Sequence, residues 1–176
     1  ACLVGSEMCI RDRPKGLLKF HRYATNNRTA MEEHLTEGAL YAASSDGEVN
    51  IHFTVSHEHL ADFKALVAKK KADYERCYGV RYHISFSEQK PSTDTIAVDA
   101  NNEPFRENGR PLFRPGGHGA LIENLNDIDA EIIFVKNIDN VVPDRLKEPT
   151  VRFKKIIGGV LVSLQTEINR YITMLK

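Results

Sequence analysis

IIFVKNIDN, residues 132–140, is the stretch that most constrains the fold. Four consecutive apolar residues indicate a strand covered on both faces, as in a parallel sheet. Segments typical of strands and of helices alternate along the chain, so we predict a three-layer α/β domain. Open sheets of this kind bind ligands beyond the carboxyl ends of their strands. Asp139 follows the apolar run, and its carboxylate could hold Mg²⁺ beside substrate phosphates; alternatively it caps a turn.

The surrounding elements are predicted from local patterns. Thr29 and Glu32 have the spacing of a capping box, which predicts the start of a helix. Alternating apolar residues predict strands, and asparagines and glycines predict turns. Helices are predicted at 29–41, 118–125 and 150–175, and a further helix is predicted to be capped by Ser56 and ended by Gly79. Strands are predicted at 49–55, 80–86, 96–98 and 132–135. Turns are predicted at 101–102 and 108–109.

A second informative stretch is FRPGGHGALIEN, residues 113–124, which we call the glycine segment. Glycines permit positive φ and let a ligand approach the backbone, because no Cβ is in the way. The helix predicted after them would add free N–H groups that attract phosphate. Arg114 and His118 could contact the same phosphate. The candidate backbone positions are Gly116, Gly117 and Gly119. A tight strand-to-helix turn without a ligand explains the segment equally well.

Two further positions could contribute to a nucleotide site. Lys15, in PKGLL, could offset phosphate charge, although most lysines are simply solvated. Gln89 and Lys90 open the polar loop QKPSTDT and could recognise a base or a sugar. A solvated loop is an equally good interpretation of these residues.

Composition excludes several classes of protein. The 176 residues suffice for one domain with a core, and 41% are hydrophobic. Lysine plus arginine equals aspartate plus glutamate, at 24 each, which argues against a nucleic-acid partner because such proteins need a basic excess. No apolar run approaches the length of a membrane span, so we expect no membrane partner.

Residues 1–13, ACLVGSEMCIRDR, resemble the translated adapter of a transposon-based sequencing library. We expect this segment to be an artefact and disordered, and the domain to occupy 14–176; a genuine N-terminal extension is the alternative. Without the segment only Cys77 remains, which provides neither a disulfide framework nor a zinc site and favours a cytoplasmic location. We also expect the chain to be a fragment that is truncated at both ends.

Over residues 14–176, the chain resembles an uncharacterised bacterial family, a domain of unknown function. The resemblance is carried by four segments in this order: PKGLL, QKPSTDT, RPGGHGALIENLN and IIFVKNIDNVVPD. More remotely, the same order is similar to the UDP-sugar pyrophosphorylases. That resemblance implies the nucleotide-diphospho-sugar transferase fold, a three-layer Rossmann-like fold whose mixed sheet has mostly parallel strands. It further implies that Lys15 contacts phosphate, that residues 116–119 lie against the base and sugar, and that Asp139 binds magnesium.

The function implied is that of a sugar-1-phosphate nucleotidylyltransferase, with a nucleoside triphosphate and a sugar phosphate as substrates. Positioning and charge neutralisation would carry the rate. Such enzymes have a phosphate loop that should precede Pro14, so we expect this fragment to be inactive. A non-catalytic nucleotide or sugar-nucleotide binding module is the first alternative. A structural protein, in which PGGHG is only a turn, is the second. The leading hypothesis predicts that Lys15, the glycine segment and Asp139 meet at one sheet edge.

Overall fold

The structure is a computed structural model that describes residues 13–175. Residues 1–12 lie outside the described residues, so the expected disorder of the segment likened to an adapter stays a prediction. The chain divides into two compact units. Of the described residues, 13–51, 62–83 and 132–175 belong to the first unit, and 52–61 and 84–131 belong to the second.

The elements alternate between helices and short strands. The helices are α1 (Ala30–Tyr41), α2 (Leu60–Tyr78), α3 (Ile122–Asn126) and α4 (Lys147–Leu175). The strands are β1 (Lys19–Arg22), β2 (Asn27–Thr29), β3 (Glu48–Val55), β4 (Arg81–Glu88), β5 (Thr95–Ile96), β6 (Arg106–Glu107), β7 (Arg110–Pro111) and β8 (Phe113–Arg114). Short 3₁₀ helices cover Lys15–Leu17, His57–His59, Pro91–Thr93, His118–Leu121 and Asp144–Leu146.

Helix α1 forms the centre of the first unit and begins where the sequence predicts. The Thr29 hydroxyl accepts from the Glu32 N–H at 3.2 Å, and the Glu32 carboxylate accepts from the Thr29 N–H at 2.9 Å. The capping box is therefore confirmed. Met31 and Leu35 are fully buried, and the buried Tyr82 hydroxyl donates to the Leu35 carbonyl at 2.7 Å.

Strands β3 and β4 pair with each other and are joined by α2. Side-chain hydrogen bonds between the two strands link residues 33 to 35 positions apart throughout, which is the constant separation of parallel strands. Gly79 ends α2 at φ 64°, as predicted. The predicted Ser56 cap is wrong, because its side chain makes no capping hydrogen bond and a 3₁₀ helix precedes α2.

The prediction of a strand at 132–135 is wrong. These residues are irregular, because no strand in residues 13–175 pairs with them. Their side chains alternate between half-buried and exposed. Phe134 instead packs edge-on against Tyr41, with ring centroids 5.3 Å apart. The described strands pair only two by two, so the fold is a mixed α/β fold with short sheets.

The remaining local predictions hold with small shifts. Asn102, Asn108 and Gly109 have positive φ and form the predicted turns. Residues 118–126 divide into a 3₁₀ helix and α3, and α4 begins three residues before the predicted Thr150. Within residues 13–175, no helix combines the length and apolar character needed to span a bilayer.

Candidate functional site

Lys15 and Asp139, two predicted site residues, form an ion pair in the first unit. The Lys15 ammonium lies 2.6 Å from the Asp139 carboxylate, although the two residues are 124 positions apart in sequence. Their side chains are 65% and 40% exposed, so this pair contributes little to stability. It does place a cation and a carboxylate together where both can reach a ligand.

Packing against α1 and α2 positions both residues of this pair. The ring of His34 donates from Nε2 to the Ile138 carbonyl at 3.1 Å, next to Asp139. Burial lowers the pKa of His34, which favours the neutral ring. A Cβ at Gly16 would lie 2.6 Å from the Phe63 ring and 3.3 Å from Ile138, so a glycine beside Lys15 is required for this close approach.

Buried charges, which the sequence analysis missed, anchor the chain on either side of Asp139. On the N-terminal side of Asp139, Lys136 donates a hydrogen bond to the Glu37 carboxylate. On the C-terminal side, Lys147 lies 2.8 Å from the Glu33 carboxylate and donates to the Val142 carbonyl. Burial alone would raise the pKa of Glu33, but hydrogen bonds from Lys147 and neighbouring side chains outweigh it, and the pKa is lowered. Acidic residues in a helix carry no sequence signal that separates buried from solvated positions.

The glycine segment lies in the second unit and does not use the left-handed backbone. The described glycines with positive φ are Gly47, Gly79 and Gly109, so that part of the prediction is wrong. A Cβ at Gly116 would lie 2.7 Å from the Thr93 carbonyl, so this position requires a close approach instead. At Gly117 and Gly119 a Cβ would meet nothing within 4 Å, which leaves that backbone accessible.

The loop that begins at Gln89 packs against the glycine segment. The Gln89 side-chain nitrogen is buried without a hydrogen-bond partner in the described chain, 3.7 Å from the Cβ position of Gly116. Lys90 lies 2.8 Å from Asp127 and 3.8 Å from Glu123, and the hydrogen bond to Asp127 raises its pKa. Lys90 is therefore paired with acidic side chains, whereas the Gln89 side-chain nitrogen has no partner among the described residues.

Helix α3 is held to the end of β4 by Asn124, a residue that the sequence analysis did not single out. Its amide nitrogen donates to the Glu88 carbonyl at 2.8 Å and to the Ser87 hydroxyl at 3.0 Å. Its amide oxygen is buried and has no partner in residues 13–175. Arg114 is exposed in β8, and the His118 side chain lies outside the described part of the structure.

The residues near Asp139 limit how a metal could bind. Residues 13–175 contain no group of three or more His, Cys, Asp or Glu side chains that could hold a metal ion. Asp139 alone fits the mode in which Mg²⁺ uses one protein carboxylate and takes its other ligands from substrate phosphates and water. Lys15 and Asp139 belong to the first unit and the glycine segment to the second, and the predicted shared edge stays a prediction.

Comparison with known proteins identifies a family. A model of the Domain of unknown function (DUF4301) matches residues 2–176. No curated protein and no solved structure matches the chain. The remoter similarity to UDP-sugar pyrophosphorylases and the adapter interpretation of residues 1–13 gain no support from these matches. The family match spans nearly the whole chain, and the chain therefore belongs to the DUF4301 family, a domain of unknown function.

Proposed function

We propose that the protein is a sugar-1-phosphate nucleotidylyltransferase or a close relative of one. The contact of Lys15 with Asp139 at 2.6 Å is the observation that carries the proposal. A phosphate-binding cation and a metal-binding carboxylate are the two charged groups that this chemistry needs.

In the proposed reaction, an oxygen of the sugar phosphate attacks the α-phosphate of a nucleoside triphosphate, and pyrophosphate leaves. The Lys15 ammonium neutralises phosphate charge. Asp139 would hold Mg²⁺, which supplies further charge neutralisation when bound. The anchors at His34 and Glu37 keep the Asp139 segment in place, so that little reorganisation accompanies substrate binding.

Within the second unit, considered by itself, Gln89 and the glycine segment have groups suited to a nucleoside. Gln89 presents a buried amide donor without a partner among the described residues, near Gly116, and the next residue, Gly117, has an accessible backbone. An unpaired buried donor costs free energy, and a hydrogen bond to a base or sugar oxygen would remove that cost. The proposal includes the three-layer nucleotide-diphospho-sugar transferase fold, to which β3, α2 and β4 would contribute, and a cytoplasmic location.

The test is pyrophosphate exchange by the protein expressed from its complete natural gene. With Mg²⁺, a sugar 1-phosphate and each nucleoside triphosphate in turn, we expect label to move from pyrophosphate into one triphosphate. Asp139→Asn and Lys15→Gln should each lower the rate by about 100-fold or more. Asp129→Asn and Lys19→Gln are the matched controls, because both native side chains are exposed and neither forms a salt bridge with another residue of 13–175. Equal losses in the controls would contradict the assigned roles.

A non-catalytic nucleotide or sugar-nucleotide binding module is the second candidate. It is favoured by the single carboxylate at Asp139, since residues 13–175 offer no cluster of metal ligands around it. Nucleotide binding without exchange, weakened by Gln89→Ala, would support the module. Absence of both binding and exchange would refute both candidates.

A further inference from the structure

A cavity of about 320 Å³ lies in the first unit, beside the Asp139 segment and the start of α4. Two valines form its apolar lining. Its polar lining consists of Lys136, Asn137, Asn140, Thr150 and Lys154. Thr150 and Lys154 are four residues apart on α4 and therefore share one face of the helix.

The charge of the lining is positive. None of the lining residues is acidic, and two are lysines. The charge of Lys136 is offset by the buried Glu37 carboxylate. Lys154 lies 5.7 Å from the centroid of the Phe134 ring and has no carboxylate partner within residues 13–175. The contact with an aromatic face orients the ammonium without neutralising it.

The neutral polar groups of the cavity have unused hydrogen-bonding capacity. The side-chain amides of Asn137 and Asn140 make no hydrogen bond within the described chain, and neither does the hydroxyl of Thr150. Two other threonines of α4 do use their hydroxyls: Thr166 and Thr173 each donate a hydrogen bond to the carbonyl four residues earlier, at 2.8 Å. Thr150 also lies in the first turn of α4, where the helix dipole favours a negative charge.

The geometry points to a binding site for the phosphate group of a small phosphorylated molecule. A lysine ammonium acts as a point charge, and dispersed amide and hydroxyl donors suit a tetrahedral anion. The volume leaves room for a small organic group beyond the phosphate. The inference does not depend on nucleotidyl transfer, because Lys15, Asp139 and the glycine segment do not line this cavity.

Calorimetric titration of the 176-residue chain tests the inference with three probes: inorganic phosphate, glucose 1-phosphate and glucose. We expect both phosphate-bearing probes to bind, glucose 1-phosphate more tightly, and glucose not to bind. Lys154→Met should weaken binding by about tenfold or more, the effect of losing a hydrogen bond to a charged group. Lys155→Met is the matched control, because Lys155 is the next residue on α4, is exposed and does not line the cavity.

A second variant guards against misfolding of the first. Asn140→Asp adds a negative charge to the lining and should abolish phosphate binding, while the melting temperature of each variant reports on folding. Binding that is absent in the native chain, unchanged in Lys154→Met, or weakened equally in Lys155→Met would overturn the inference. Phosphate binding that persists when pyrophosphate exchange is absent would leave this site standing and refute only the proposed transferase.

Discussion

At Lys147, a side chain that is only 3% exposed, one ammonium lies 2.8 Å from Glu33 and 3.6 Å from Glu37. Removing this cation would take the nearest ammonium from the buried Glu33 carboxylate and would leave the buried Glu37 carboxylate dependent on Lys136. We therefore expect Lys147→Met to lower the free energy of unfolding by about 3–5 kcal/mol, as measured by urea denaturation. The exposed Lys155→Met should change it by less than about 0.5 kcal/mol. A loss below about 1 kcal/mol for Lys147→Met would contradict the role given to the cluster.

His34 predicts a dependence of stability on pH. Burial lowers its pKa in the folded protein below the ordinary 6.5, so the unfolded chain binds more protons below that pH. The stability that the neutral ring contributes is complete above pH 6.5 and is lost as pH falls through the lowered pKa. His34→Gln should reduce the fall in the free energy of unfolding as the pH decreases below 6.5.

Urea denaturation across that range measures the effect. Some dependence of the free energy of unfolding on pH should remain in the variant, because burial also lowers the pKa of His52. Identical slopes in the variant and the native chain would show that His34 does not control this titration.

The glycine segment makes a prediction at the level of the element, because its glycines differ in what surrounds them. Gly116→Ala would place a Cβ 2.7 Å from the Thr93 carbonyl and 2.9 Å from Ala120, so we expect a loss of about 1–3 kcal/mol. Gly117 has φ −73° and ψ −166°, which alanine adopts, and open space around it. Gly117→Ala should therefore raise stability by about 0.4–1 kcal/mol. Thermal unfolding distinguishes the two, and equal effects would contradict this account.

Helix α4 leads to a prediction for the whole molecule. Five of its apolar side chains follow a spacing of four and three residues and are 46–62% exposed: Ile157, Leu161, Leu164, Ile168 and Tyr171. A continuous apolar stripe of this kind marks an interaction surface or a tendency to aggregate. We expect the 176-residue chain to self-associate at micromolar concentrations in sedimentation velocity. The triple variant Ile157→Gln, Leu164→Gln, Ile168→Gln should sediment as a monomer. A native chain that is already monomeric would refute the expectation.

Features specified within a few residues were predictable from the sequence. The capping box at Thr29, the end of α2 at Gly79 and the turns at Asn102 and Asn108 depend on local backbone geometry, and all are present. The sequence also allowed candidate ligand-contact residues to be predicted, because residue type and position after an element suggest which side chains can reach a ligand. These candidates include Lys15, Gln89 and Asp139. Their use by a ligand stays a prediction.

Features that depend on partners distant in sequence were decided only by the tertiary structure. The apolar run at 132–135 is not a strand, because a strand needs a neighbouring strand that local pattern cannot supply. Burial of Glu33 and Glu37 depends on Lys136 and Lys147, about 100 residues away. The sequence by itself determined where α1 begins, where α2 ends and where the turns at Asn102 and Asn108 lie, because those signals act through neighbouring residues. The fold alone decided which charges are buried and that Lys15 meets Asp139, because only packing brings distant residues together.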